Sequence, residues 1–539
     1  MLPGMWKNLN KEVILSENYK SIFNDVLGPV MVGASSSHVA AAARIGRIAA
    51  SCLTHNTAEV HVEFCKNSSL AFTYHSHGSD MGFAAGLIGL PMDDGRVPDS
   101  VRLANESIAL RFVITEGLAA HPNNYLVRIL RTDAGDLTFQ AISTGGGMID
   151  LWEFCGVPLH YYGDHHAALL VCKHEEATDI AQTATARMSC KASIHENASH
   201  SLVELSFDVP PSKDAIAEFL VHESVILAPV VPILSQDKYD LPFINCSALY
   251  ERIAEGDGRS LSDFAIAYES ARGGISGEDV LRLADDVFRV MENACAAGQD
   301  IVIYENRMLG SQAYKLNQKS PYSHMELITD VVRCITAVME SKSAMKPIVA
   351  APTAGACGCL AGVLCALSER LQLEHSALIK ALLSAGLIGV FFCDQATFAA
   401  EVGGCQVECG AASGMTAAAV TELFGGTARQ CLAAASMALQ GITGLACDPV
   451  AGRVESPCLN KNIMAGVNAL ACATMGLADF DQVIPLSQTI DAIYEIGKSL
   501  PQSLRCTLGG LGCTKASAEI QSRLDKQFPP NANGSDELR

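Results

Sequence analysis

Charge is sparse in this chain: Asp, Glu, Lys and Arg make up 18% of its 539 residues, against 49% in the hydrophobic class. Positive charge is scarcer still, with 38 Lys and Arg against 58 Asp and Glu and a formal net charge of −20. Such a surface has too few cations to neutralise a row of phosphates, which argues against a nucleic-acid partner and an anionic membrane. Residues 1–24 lack a continuous hydrophobic stretch, so no signal peptide is expected and the cytoplasm is the expected compartment. The longest uncharged run, between Lys346 and Glu369, is broken by Pro352, Thr353, Gly355, Gly358 and Gly362. The more strictly apolar run Ala381–Cys393 is shorter than the roughly 20 residues that span a bilayer. Buried helices are expected for both. No repeat of fixed period is present, and the length suggests roughly two to four domains.

What is there is an apolar, Ala- and Gly-rich chain of α+β multidomain class, organised in three textures. Residues 20–160 alternate β-rich segments (Ala58–Phe64, Tyr125–Leu130, Leu137–Ile142) with helical patterns, a mixed α/β domain. Residues 165–232 read as a βαββαβ unit. Its strands are expected at Leu169–Cys172, Lys191–Glu196, Leu202–Val209 and Ser224–Val231, its helices at Ala177–Met188 and Lys213–Val221. That order resembles the ferredoxin-like arrangement of ACT domains. Those domains usually place Pro-Gly after the first strand, where His174-Glu175-Glu176-Ala177-Thr178 stands here, so a structural or dimerising role is at least as well supported as effector binding. Residues 262–525 are helical, and 526–539 have the composition of a flexible tail.

The chain carries 20 cysteines. In a reducing compartment most are expected to be small buried hydrophobes, and those in special settings point to metal or catalysis. Three have such settings: Cys405 after Gly403-Gly404, Cys447 before Asp448-Pro449, and Cys458 after Pro457. Backbone amides at loops and helix starts stabilise thiolate character. Ferredoxin-type spacing is absent, so spacing alone leaves zinc, iron–sulfur and plain packing open.

The wording around these cysteines resembles the α part of bacterial iron–sulfur L-serine dehydratases. The matching pieces are Gly403-Gly-Cys-Gln406, Cys447-Asp-Pro-Val-Ala-Gly452, Pro457-Cys458 with Lys461 and Asn462, Ala351-Pro-Thr-Ala-Gly-Ala-Cys-Gly358 and Gly509-Gly-Leu511. Gly28-Pro-Val-Met-Val-Gly-Ala-Ser-Ser-Ser-His38, Arg44-Ile-Gly-Arg47, His77-Gly-Ser-Asp80 and Gly145-Gly-Gly147 are similar to that family's β part. The resemblance covers nearly the whole chain, with β, ACT-like and α parts fused in that order. It implies a 4Fe-4S cluster on Cys405, Cys447 and Cys458, with an open iron for the substrate. Cys409 is expected to pack, and Cys506 and Cys513 are weak candidates for a resting-state fourth ligand.

The implied reaction converts L-serine to pyruvate and ammonia, in a homodimer with a small amino acid as its only substrate partner. Pyridoxal phosphate would need a Schiff-base lysine in a phosphate cradle, and no lysine here has that setting. A Lewis acid on the hydroxyl is the other route. Ser35, Ser36 and Ser37 precede a helical stretch and form an expected carboxylate site, with Arg44 a turn further on. His38 and His77 are the candidate acid/base groups. Asp80 is expected to orient His77 or cap a helix, and Thr353 to reach the substrate. Adjacent His165 and His166 point to opposite faces of a strand and are not read as a metal pair. Four positions in two motifs depart from the family pattern: Ala34 and Val39 flank the Ser-Ser-Ser-His run where Pro and Thr are usual, and Met81-Gly82 stand where Lys-Ala is common. Rival readings are a lyase for threonine or cysteine, a non-catalytic iron or amino-acid sensor, and a zinc protein.

Overall fold

The computed structural model describes residues 19–117, 121–132, 135–236, 238–317, 324–507 and 509–528. The remaining residues, including most of the N-terminal stretch read for a signal peptide and of the expected tail, lie outside the described residues. The protein is α+β, with an N-terminal sheet region and a C-terminal helical one.

A six-stranded sheet opens the fold, ordered Ala109–Thr115, Thr57–Cys65, Asn124–Arg131, Leu137–Gly145, Met148–Phe154, Val157–Tyr161. The first pair is parallel and the rest are antiparallel. Its alternation buries Val60, Val62 and Phe64 under two helices, Ala41–Ser51 and Ser79–Leu87. These helices almost touch. A Cβ on Gly82 would lie 2.2 Å from the Val39 carbonyl oxygen, and one on Gly86 2.0 Å from that of Ala43. The departure Gly82 is therefore a packing requirement, which outweighs the roughly 1 kcal/mol of helix propensity that glycine gives up.

The next unit runs His166–Cys172, His174–Arg187, Lys191–Glu196, Ser201–Phe207, Lys213–Ala217, Glu223–Leu227. Its sheet is antiparallel throughout, with the last strand beside the first, the third next and the second at the far edge. Ala167, Leu169 and Val171 face the first domain's core, and Ala168, Leu170 and Cys172 face the unit's own helices. The strand reads as a continuous apolar run because both faces are covered. The second helix, expected to reach Val221, closes at Ala217: Phe219 turns back onto the unit's core and Leu220 is 94% exposed.

Helices follow from Cys246–Ala254, earlier than the expected residue 262. The run Ala381–Cys393 and the part of the longer run from Ala354 lie in helices long and apolar enough to cross a membrane, each with 78% of its apolar stretch buried within the protein, while the longer run opens with a strand at Ile348–Val349. Helix His375–Gln395 packs against Leu261–Gly273, Cys409–Leu423 and the short turn Ile22–Val26. Ile22 and Val26 fill the notches left by Gly386 and Gly389. Val30–Met31 pairs antiparallel with Ile348–Val349, and buried Glu269 accepts from the Ile22 amide at 2.8 Å. Residues 22–32 thus pack in the helical core, and they lead directly into the serine motif.

Candidate active site

The serine and histidine motifs of the first domain meet the cysteine motifs of the helical one along this seam. Ser36 Oγ accepts from the Ala354 amide at 3.2 Å, and Ser69 Oγ donates to the Cys506 carbonyl at 3.2 Å. Gly145, at φ +106°, lies so close to Phe398 and Ala399 that a Cβ would approach the Ala399 nitrogen to 2.7 Å. Arg44 is buried and donates to the Gly147 carbonyl at 2.7 Å, tying the triple-glycine turn to the first helix. Burial lowers its pKa to about 10, so it keeps its charge at neutral pH.

Hydrogen bonding fixes the tautomer of His38. Thr73 Oγ1 gives its one proton to the Ser69 carbonyl at 2.8 Å, so it accepts from His38 Nε2–H at 2.9 Å. Nδ1 is then the acceptor, taking the Ser35 hydroxyl proton at 2.9 Å, with Glu401 Oε1 3.9 Å away. Burial, reinforced by the neighbouring His77, holds the His38 pKa well below its ordinary value and the ring neutral.

His77 stands edge-on to His38 with ring centroids 4.5 Å apart. Burial lowers its pKa to about 4. The Gly452 backbone is near enough to favour its charged form, but neither ring nitrogen has a hydrogen bond of normal geometry. Arg44 Nε is buried without a partner, and Glu401 Oε2 and the Asn123 side chain lack hydrogen bonds of normal geometry, although Asn123 and the Cys506 thiol stand close enough to Glu401 to oppose the rise in its pKa that burial causes. An unpaired buried polar atom costs about 1–3 kcal/mol, and such atoms mark where a ligand completes the bonding.

Six thiols gather beside these groups. Cys359, Cys405, Cys409, Cys447 and Cys506 share one small buried cluster, and Cys458 lies within electrostatic range of Cys405 and Cys447. Cys447 donates its amide to Leu504 O at 2.9 Å and accepts from the Cys506 amide at 2.9 Å, so the C-terminal segment lays the Cys506 thiol against that of Cys447. The Cys409 thiol holds the Cys405 thiol below its ordinary pKa, with the Lys461 ammonium adding to the effect. Contact with Cys405 raises Cys409, contact with Cys506 raises Cys447, and burial raises Cys458. Lys461 is anchored by Asp448 Oδ1 and Ala446 O, each at 2.7 Å. Asn462 ties the Pro-Thr-Ala-Gly loop to the Cys458 helix, donating to Gly355 O and accepting from the Cys359 amide.

Several residues sit otherwise than expected. Ser35 begins the helical turn without a side-chain cap, because its hydroxyl goes to His38. Asp80 turns away from His77 and binds His75 Nδ1 at 2.6 Å. Thr353 Oγ1 accepts from Ala356 N at 3.2 Å and lies beside the Glu408 carboxyl, whose pKa burial raises well above its ordinary value. Val39 and Met81 meet each other: a Cβ on Gly78 would lie 2.3 Å from Met81 Cε and 2.9 Å from Val39 Cγ2. The two departures form one apolar contact. Sequence reasoning passed over Glu401, Glu408 and Asn123. The acids at 401 and 408 were visible as isolated charges flanking Cys405 in an apolar run; nothing in the sequence marked Asn123.

Among the described residues, one set of Cys, His, Asp or Glu ligand atoms lies within 4.8 Å of one another, that of Cys295, Cys334 and Glu369. That set does not include Cys405, Cys447 and Cys458, whose thiols are near enough for Cys405 to raise the pKa of the other two. Neutral imidazoles, buried carboxylates and a nest of thiols define a centre of metalloenzyme type. The family model described as serine dehydratase alpha chain matches residues 177–511. A probable L-serine dehydratase alpha chain of Bacillus subtilis is 38% identical over 268 residues, 49% of this chain and 89% of that protein. The corresponding probable beta chain of the same organism is 38% identical over 154 residues, 28% of this chain and 68% of its own. L-serine dehydratase 2 of Escherichia coli is 33% identical over 249 residues, 46% of this chain and 52% of that protein. The chain belongs to the serine dehydratase alpha-chain family and joins α- and β-like parts in one polypeptide.

Proposed function

We propose that this protein is an L-serine ammonia-lyase that holds a 4Fe-4S cluster on Cys405, Cys447 and Cys458. The observation that carries this reading is the convergence, on one buried seam, of the thiol nest with the unpaired nitrogens of His77 and the buried Glu401 carboxyl. The Lys461 ammonium beside Cys405 and Cys447 suits an anionic cluster. Bound there, a cluster with an open coordination position supplies a Lewis acid for the substrate hydroxyl.

The chain's own groups do the rest. Ser36 accepts from Ala354 N–H and keeps its hydroxyl proton for the substrate carboxylate, with Ser37 and the Arg44 charge adding to the anion site. His38, locked between Ser35 and Thr73, positions His77 by ring contact. His77, neutral and with both nitrogens unbonded, takes the α-proton as the C–O bond breaks and passes it to the departing hydroxide, which leaves as water. Thr353 and Asp80 act behind this shell, through Glu408 and His75. The aminoacrylate product tautomerises and hydrolyses to pyruvate and ammonia.

The Val39–Met81 contact favours a second reading in which another small amino acid, threonine or cysteine, is the substrate. The 166–227 unit is read as an ACT-like scaffold, and the protein as a cytoplasmic homodimer. Anaerobic purification followed by an absorbance spectrum and pyruvate and ammonia assays tests the proposal. A brown protein that turns over serine and bleaches in air is expected. Turnover of threonine or cysteine alone would shift the substrate; a colourless zinc protein, or no turnover of any, would end the lyase reading.

A further inference from the structure

Away from the seam, three helices bring soft ligands together at a place the proposed chemistry does not use. Cys295 lies in the last turn of Gly277–Gly298, Cys334 in the middle of Glu326–Ser343, and Cys365 and Glu369 one turn apart on Cys357–Leu371. The three cysteines are buried, while the Glu369 side chain is 47% exposed and opens the group to solvent. One ligand atom from each of Cys295, Cys334 and Glu369 lies within 4.8 Å of the other two, and the Cys365 thiol lies against that of Cys295.

The carboxylate is held over the thiols. Glu369 Oε2 accepts from Arg333 Nη2 at 2.8 Å and Oε1 from Gln299 Nε2 at 3.0 Å, with Cys334 Sγ 4.0 Å from Oε2. A tetrahedral zinc ion with bonds of about 2.0–2.3 Å sets its ligand atoms roughly 3.5–3.8 Å apart. The Cys295, Cys334 and Glu369 atoms close to that by about an ångström, within reach of side-chain rotation, and Cys365, outside that set, would reach the ion by turning from its contact with Cys295. Thiolates with a carboxylate suit a borderline-soft divalent ion and not magnesium or calcium.

We propose that Cys295, Cys334, Cys365 and Glu369 form a second, structural metal site for zinc. Binding releases the three thiol protons, while the carboxylate enters already ionised. The site then carries two negative charges, which Arg333 offsets in part. Its role is to pin three helices, one of which begins at Cys357 beside the Pro-Thr-Ala-Gly loop. Proton release makes the affinity rise with pH.

The test measures zinc and iron on the full chain, purified anaerobically, and compares Cys334→Ser and Glu369→Gln with wild type. The wild type should carry about one zinc per chain in addition to iron. Cys334→Ser should lose the zinc and keep the iron. Glu369→Gln, at the exposed edge, leaves the buried packing intact and should weaken zinc binding roughly ten-fold or more. Cobalt given to zinc-free wild type should produce a thiolate-to-cobalt charge-transfer band that is reduced in Cys334→Ser. No zinc in the wild type and no cobalt band sensitive to Cys334 would overturn the site, as would equal zinc affinity in all three proteins. Iron content and turnover report separately on the seam, so failure here does not touch the lyase reading.

Discussion

Protonation of His77 gives the most direct physical test of the buried seam. Burial places its pKa at about 4, against an ordinary value of 6.5. The unfolded chain therefore binds this proton first as the pH falls. Stability from the neutral ring is complete above the unfolded value and drains away between about pH 6.5 and about pH 4. At 1.36 kcal/mol per unit the full effect is about 3 kcal/mol, and at pH 5 about 2 kcal/mol is already lost relative to pH 8. Urea unfolding of the cluster-free protein at the two pH values, beside His77→Asn, reads this difference. The wild type should lose about 2 kcal/mol more than the variant on acidification. Removing His77 also lifts its repulsion from His38, which works in the same direction. Equal losses in the two proteins would show that His77 is not held neutral in the fold, and its assignment as the base would fall with that.

Thr73→Val keeps the side-chain shape but strands the His38 Nε2–H, so a stability loss of about 1–3 kcal/mol and a lower kcat are expected, read by thermal unfolding and steady-state kinetics. Cys405→Ser should abolish the iron chromophore while Cys409→Ser retains it; the reverse result would reassign the ligand at the start of that helix. Gly82→Val would drive a side chain into the Val39 backbone, for which a loss of about 1–3 kcal/mol or more is expected; unchanged stability and turnover would mean that the two helices are not packed this closely.

Much of this protein was legible from the sequence because it rests on short-range pattern. Alternation marked the strands at 57–65, 124–131 and 137–145, and the order βαββαβ was readable across 166–227. The strictly apolar run 381–393 was correctly expected to be a buried helix, whereas the longer run opens with the strand Ile348–Val349 and is helical only from residue 354. Only the tertiary structure decided how the site is wired, because its bonds join residues far apart in the chain. Ser69 reaches Cys506 across 437 positions, and Ser36 reaches Ala354 across 318. Local spacing carries no trace of such pairs. Even local pairs were not settled by spacing: Asp80, expected to orient His77 or cap a helix, binds His75 five residues back, and the Ser35 hydroxyl, expected at the carboxylate site, goes to His38. The three cysteines were singled out by their Gly and Pro settings, whereas Cys409 and Cys506 joined them only because helix packing and one backbone pairing at Cys447 brought their thiols there. Backbone pattern is a local property of the chain; the meeting of side chains is a property of the packed whole.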